Sequence, residues 1–352
     1  MQTHLSVYLA IGLWLSAPLI TIAQTSGDAT ISFIDVHAHL LGGQKNMAGA
    51  VSAALTRMDQ ACISKLIVMP PPEDGSNKTH DYEVFVEAIR PYSTRIAFLG
   101  GGGSLNIMLH QAGKQTVVSD SLRREFTEKA NDILKQGAKG FGEMAVQHLS
   151  LQGAHHPYES VPADHPLFLL LADIAAQHDV PIDIHFDVVT EDIPTPAYLT
   201  SPNNPKVLHA NLDAFERLLD HNPQAKISWA HAGSDNTGHW TVDLSRRLLQ
   251  KHPNLYMSLR LGTAHSRQNF PLTPDGQIKP EWLSLLQDFP TRFVIGTDQF
   301  IGSSPDQGPG GKKDTKTPKS RENVPVFLKT LPADLARKIA SENAIALYKL
   351  KN

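Results

Sequence analysis

The feature that most constrains the fold is an alternation that begins after residue 30 and runs to the end of the chain. Short apolar runs are followed by longer stretches with the i, i+3, i+4 spacing of amphipathic helices. The strand candidates are "ISFIDVHAHL", "SKLIVMP", "RIAFLGGG", "AKGFGEM", "VPIDIHFD", "AKISWAHAG", "NLYMSLRLG" and "TRFVIGTDQF". Helical stretches such as "MAGAVSAALTRMDQACI", "DYEVFVEAIRPY" and "LRREFTEKANDILKQG" separate them, and "PADLARKIASENAIALYKL" closes the chain. Ahead of "HPLFLLLADIAAQHD", Asp164 is placed to cap the helix, with Pro166 in its first turn. Strand–helix units in series give right-handed crossovers and a parallel sheet. Eight of them specify an α/β fold of the (β/α)8 TIM-barrel type. A doubly wound open sheet is the rival, but it usually needs fewer units.

A chain of 352 residues would by length alone suggest two domains, but α/β barrels fill this length as one. Residues 30–352 therefore read as a single barrel domain. The Gly-, Pro-, Ser- and Lys-rich segment 302–320 is a lid or a mobile loop. The start of the chain is different in kind. Residues 5–23, "LSVYLAIGLWLSAPLITIA", carry no charge and end in Thr21-Ile22-Ala23. We read residues 1–23 as a signal peptide cleaved near Ala23–Gln24, a reading that Pro18 supports. The rival is an uncleaved anchor, which this length could nearly span. Either way the remaining chain is expected outside the cytoplasm, periplasmic or secreted, with no stable membrane partner after cleavage.

Charge and cysteine usage narrow the chemistry. A formal net charge of −3 offers no basic face for a phosphate backbone, so nucleic acid is not an expected partner. Self-association into a homo-oligomer is left open. There are 17 histidines against one cysteine, Cys62. That excludes an intrachain disulfide and a thiolate zinc site, so any metal must take nitrogen and oxygen ligands.

Successive strand side chains face opposite ways. In the first strand Phe33, Asp35, His37 and His39 share one expected face, and the apolar Ile34, Val36, Ala38 and Leu40 share the other. In the fifth, Asp183, His185 and Asp187 face inward while Ile182, Ile184 and Phe186 face the helices. In the last, Val294, Gly296 and Asp298 face inward. His231 ends the sixth strand and Glu143 ends the fourth. These polar residues all fall at the C-terminal ends of the strands, where barrel enzymes build their active sites. Buried there, each would cost several kcal/mol, on the order of 2–7, unless paired or bound to a metal. Their convergence implies that His37 and His39 hold a divalent metal, with His185, Glu143 and Asp298 as further ligands.

The motifs "DVHAHL", "DIHFD", "WAHAG" and "GTDQF" resemble the metal signature of the amidohydrolase superfamily. The closing "SENAIALYKL" is similar to the end of its amidohydrolase-related branch. The resemblance spans nearly the whole chain after residue 30 and implies a distorted (β/α)8 barrel. It implies that His37, His39 and His185 are metal ligands, and that His231 either binds a second metal or orients substrate. It implies that Asp298 touches both metal and water. One departure stands out. Many members carry a carboxylated lysine on the fourth strand, where this chain has Glu143, with Lys139 four residues earlier. One metal or two is thereby left open.

The ligand types suit Zn²⁺ best, with Mn²⁺, Fe²⁺ or Ni²⁺ as alternatives. Asp298 is placed to act as base and then acid toward a metal-activated water, with His231 assisting. Arg260 and, more weakly, His265 are candidates to bind substrate, and Gly100 to Gly103 would let the backbone approach a ligand closely. Asp35 and Asp183 are candidates to orient the imidazoles. The expected activity is metal-dependent hydrolysis of a C–N or C–O bond (amide, ester or lactone) in a small molecule. Decarboxylation of a small aromatic or unsaturated carboxylic acid on the same scaffold is the alternative. A non-catalytic periplasmic protein that binds metal or ligand is the third reading.

Overall fold

The computed structural model describes residues 31–351 apart from 42, 74, 76–80, 114, 116, 152–156, 200, 263–267 and 304–318. The 1–23 segment with its Ala23–Gln24 junction, His265, and most of the 302–320 loop lie outside the described residues. Ile31–Asn352 forms one compact unit.

Eight strand positions follow one another. They are β1 Phe33–Leu41, β2 Ile63–Val68, β3 Ile96–Phe98 resuming at Gly100–Gly101, β4 Phe141–His148, β5 Pro181–Phe186, β6 Lys226–Ala232, β7 Leu255–Leu259, and β8 Phe293–Ile295 resuming at Gln299–Gly302. All neighbours pair in parallel, in the order β2–β1–β8–β7–β6–β5–β4. β3 closes the ring. Its first segment pairs with β2 and its second with β4. Between them, Leu99 N–H donates to the Val68 carbonyl at 3.0 Å and Gly100 N–H to the Gly140 carbonyl at 3.4 Å. The chain is thus a (β/α)8 barrel, and closure of the ring through β3 removes the open-sheet rival.

Alternation explains why these strands sit between helices and an interior. Ile182, Ile184, Phe186, Phe293 and Ile295 are fully buried in the layer shared with the helices, among Phe126, Phe168 and Phe215. Each such side chain contributes about 1.5–3 kcal/mol relative to exposure. β1 departs from strict alternation. Against β2 its register shifts between Asp35 and Ala38, so three steps on β1 oppose two on β2. The extra residue reverses the facing, as a bulge does. Phe33, Ala38 and Leu40 pack in the helix layer, whereas Ile34 and Val36 join Ile67, Leu99 and Val294 in a second cluster. The expected inward set of Phe33, Asp35, His37 and His39 therefore holds only from His37 onward. Leu347, Tyr348 and Leu350 complete that second cluster and plug the floor of the barrel. The Asn343 amide ties this last segment to β8, donating to the carbonyls of Pro290 at 2.9 Å and Phe293 at 2.8 Å.

Other local expectations are corrected. The 81–92 stretch is three short pieces, Tyr82–Val84, Val86–Ile89 and Arg90–Tyr92, not one helix. Asp81 accepts from Tyr82 N–H at 2.7 Å and starts the first piece, and Pro91 lacks the N–H a continuing helix would use. The helix Pro166–His178 is capped by His165, whose ring accepts from Leu167 N–H. Asp164 instead pairs with Arg217 at 2.6 Å. Glu143 lies in the first half of β4, which runs on to His148. Two helices had no assigned segment, Leu105–Ala112 and Lys319–Lys329, the latter beginning where the 302–320 loop was expected to continue. No helix of the described residues is long and apolar enough to cross a membrane.

Candidate metal centre

Strands β1, β4, β5, β6 and β8 bring His37, His39, Glu143, His185, His231 and Asp298 to one place, all nearly or fully buried. Gly296 on β8 makes room for β1. A Cβ there would stand 3.0 Å from the His37 Cβ, tighter than such contacts normally allow. His231 and Asp298 both sit in left-handed backbone, with φ of 72° and 53°. That conformation is uncommon outside glycine and gathers at functional sites. At Asp298 it is supported by the residue's own N–H, which donates to the His37 carbonyl at 2.9 Å. Asp35 reinforces the turn. It accepts from Thr297 N–H at 2.9 Å, Thr297 Oγ1 at 2.5 Å and Gln299 Nε2 at 2.9 Å.

Glu143 is the hub. Its Oε2 lies 3.4 Å from both His37 Nε2 and His39 Nε2. Its Oε1 lies 2.9 Å from His185 Nδ1 and 3.0 Å from His231 Nε2. Asp298 Oδ1 is 3.3 Å from His39 Nε2 and 3.8 Å from His37 Nε2. Two triads have mutually close ligand atoms, His37 with Glu143 and His231, and His37 with His39 and Asp298. His185 is in neither triad. It meets the cluster through Glu143 and through His231 Nε2, 3.1 Å from its Nδ1.

The donor set fits a cation. The Nε2 atoms of His37 and His39 are buried with no hydrogen-bond partner. Of their other nitrogens, that of His39 is hydrogen-bonded and that of His37 lies against a carboxylate. His39 Nδ1–H donates to the Met69 carbonyl at 3.0 Å, and His37 Nδ1 faces Asp183 Oδ1 at 3.1 Å. Metal-binding histidines are held in this way. On the other side, two imidazole nitrogens and one carboxylate oxygen converge within 3.1 Å. One proton cannot satisfy all three contacts, so lone pairs exceed protons and a cation suits the gap. Of the two orienting candidates, Asp183 reaches an imidazole, and Asp35 serves the β8 turn.

Burial opposes charge throughout, and the neighbours decide the outcome. For His37 burial pulls the pKa down, but the carboxylates of Asp183 and Glu143 hold the ring well above its ordinary range. Burial pushes Glu143 up, yet His37, His185 and His231 bring it well below the usual carboxylate range. Burial raises Asp298 too, and Arg260 and His231 more than reverse it, leaving an ionised carboxylate. At His231 burial wins and the ring is held below its ordinary value.

Arg260, just past β7, lies with its guanidinium 3.1 Å from Asp298 Oδ2 and 27% of its side chain exposed, at the edge of the centre. At Gly100, Gly101 and Gly102 the space a side chain would take is filled by the protein's own atoms. A Cβ on Gly102 would press on the carbonyls of Pro70, Pro71 and Glu143 at 2.6 to 2.9 Å, so the close approach is to the protein's own backbone. Lys139, four residues before Glu143, lines a cavity elsewhere and takes no part in the centre. Residue-by-residue reading missed the support of His185. Asp187 Oδ2 stands 3.3 Å from His185 Nε2, and Asp187 accepts from Leu149 N–H at 2.8 Å and Asn236 Nδ2 at 2.9 Å. The ring of His148 packs edge-on to His185 at 4.4 Å. The polar run "GSDNTG" after β6 was the available signal for Asn236.

This geometry agrees with what comparison gives. The family model described as amidohydrolase matches residues 119–350. The chain belongs to the amidohydrolase family, whose members are enzymes that typically bind a divalent metal. No curated protein matches the sequence. Among solved structures, a uronate isomerase from Bacillus halodurans C-125 is 13% identical, covers 86% of this chain and 69% of its own, and has a TM-score of 0.49. A dihydroxybenzoic acid decarboxylase from Polaromonas sp. JS666, solved with manganese and 2-nitroresorcinol, is 13% identical over 91% of this chain and 98% of its own, with a TM-score of 0.47. An amidohydrolase from Mycobacterium avium subsp. paratuberculosis K-10 is 14% identical over 85% and 74%, with a TM-score of 0.44. At these scores the likenesses carry no inference about reaction or ligand.

Proposed function

We propose that the protein is a metal-dependent hydrolase of a C–N or C–O bond in a small molecule. The observation that carries this reading is the divided carboxylate of Glu143, one oxygen toward His37 and His39 and the other toward His185 and His231. That arrangement suits two cations, which favours attack by water over loss of CO₂. Divalent cations held there, Zn²⁺ in our reading with Mn²⁺, Fe²⁺ or Ni²⁺ as alternatives, would polarise the scissile carbonyl and bring the pKa of a water toward about 7. His37, His39 and Asp298 would hold one cation, and His185 and His231 the other. Asp298, ionised beside Arg260, accepts the proton of the attacking water and returns it to the leaving nitrogen or oxygen.

A second reading, decarboxylation, is favoured by one observation. The part-exposed guanidinium of Arg260 stands beside Asp298 and could hold a substrate carboxylate. Metal analysis followed by a panel of esters, lactones, amides and aromatic carboxylates separates the two. Turnover of the first three with two metals per chain is expected; turnover of aromatic carboxylates alone, with one metal, would replace the hydrolase reading. We also propose export through residues 1–23. A mature chain beginning near Gln24 is the expected result, and an intact N-terminus in the membrane fraction would favour an anchor.

A further inference from the structure

The chain has slightly fewer basic than acidic residues, 32 against 35, yet one cavity gathers basic residues only. It has a volume of about 410 Å³ and is lined by Lys65, Arg90, Arg95, Lys139 and Lys351, with no aspartate or glutamate among its lining. Its place in the barrel is opposite to the metal centre. Lys65 lies in the first half of β2, Arg95 immediately precedes β3 and Lys139 precedes β4. These are strand entrances, whereas His39, His185, His231 and Asp298 of the metal centre stand toward the strand exits. The floor is apolar, made by the buried side chains of Leu66, Phe98 and Leu350.

The cations are only partly compensated. Arg95 pairs with Asp59 at 2.7 Å and Arg90 with Glu87 at 2.5 Å, both carboxylates standing outside the lining. Lys65 donates to the Thr94 carbonyl at 2.7 Å, which fixes its ammonium and leaves further donors. Lys139 and Lys351 form no ion pair among the described residues. Like charges around one concave space repel, and an anion relieves that repulsion.

We propose that this cavity binds a small organic phosphate, with Lys65, Lys139 and Lys351 around the phosphate and Leu66, Phe98 and Leu350 under its carbon skeleton. A phosphomonoester carries about −1.5 to −2 charge at pH 7 and three strong acceptor oxygens, which matches several lysines better than a single carboxylate does. The volume is in the range of small-molecule pockets, about 300–1,000 Å³. The site is independent of the reaction at the metal centre.

The test is calorimetric titration of the metal-loaded full chain with phenyl phosphate, inorganic phosphate and benzoate. Phenyl phosphate is expected to bind once per chain, more tightly than either of the others, and more weakly as salt is raised from about 50 to 200 mM. The Lys139→Gln/Lys351→Gln double variant is expected to weaken it about tenfold or more, with metal content and melting temperature unchanged. Lys65→Gln is a second, separate probe with the same expected direction. Equal binding by wild type and both variants would place the phosphate at the metal centre and overturn the proposal. Absence of binding, or equal affinity for benzoate, would overturn it too. Inorganic phosphate binding as tightly as phenyl phosphate would overturn the assignment to an organic phosphate.

Discussion

The two pairs of histidines on either side of Glu143 are held in different ways. On the Oε2 side, each imidazole has its far nitrogen oriented by something outside the cluster, Met69 for His39 and Asp183 for His37. On the Oε1 side only His185 is held from outside, its Nε2 3.3 Å from Asp187 Oδ2; His231 leans on His185 and Glu143, and its Nδ1 is buried without a partner. One half has both rings held from outside the cluster; the other has one ring held and one ring that depends on its neighbours' lone pairs. Preorganised donors bind with less loss, so the His37–His39 half is expected to fill first and the His185–His231 half second.

The largest effect is expected at the one ring common to both triads of close ligand atoms. His37 belongs to both triads, so His37→Ala should remove nearly all metal and activity. The loss should exceed the about 10–100-fold in affinity that removal of an orienting partner costs. Metal per chain by mass spectrometry checks it, and a variant with full metal content would end the two-half description. Asp298→Asn is expected next. It should keep most metal, because asparagine is nearly isosteric and other ligands remain, while turnover falls about 10²-fold or more. A variant with its metal and wild-type turnover would remove Asp298 from proton transfer. Asp183→Asn tests the orientation itself. It should weaken the first metal about 10–100-fold while the second, held by the other half, changes less. Equal weakening of both would mean the halves are one unit.

The barrel was legible because it depends on a repeated pattern. Eight strand–helix alternations survive local errors, and β5 and β8 obey the simple parity that put Asp183, His185 and Asp298 inward. The failures have local physical causes. Parity breaks in β1 because one extra residue there, invisible to an alternation count, turns both Val36 and His37 inward. Asp164 is the better cap by residue type, but the helix begins at Pro166, which puts His165 at the cap position and leaves the Asp164 carboxylate to pair with Arg217. Gly100–Gly103 looked made for a ligand because a glycine run signals close approach without saying to what. Contacts such as Asp187 with Asn236 and Leu149 join loops after β4, β5 and β6, and no local window contains all three.

The smallest effect expected concerns the less anchored half, and it is read as pH dependence of metal-free protein. Burial lowers the His185 pKa, but Asp187 and Glu143 outweigh it and raise the ring to about 10. Burial raises Asp187, and His185 together with Leu149 N–H brings it to about 2. A raised histidine contributes stability that is whole below its unfolded value near 6.5 and is lost as pH climbs toward about 10. A depressed aspartate contributes stability that is whole above its unfolded value near 3.8 and is lost as pH falls toward about 2. Between those limits the pair is worth most, so metal-free protein should lose stability between pH 6 and pH 9. Asp187→Asn should flatten that loss by about 1–2 kcal/mol, since Glu143 still holds part of the shift. With metal present the slope should reverse, because a cation binds neutral imidazoles and gains affinity as pH rises. Melting temperatures of both proteins at pH 6 and pH 9, with and without metal, measure all four terms. If the metal-free slope is the same in Asp187→Asn as in wild type, Asp187 does not hold His185, and the second half has no anchor but Glu143.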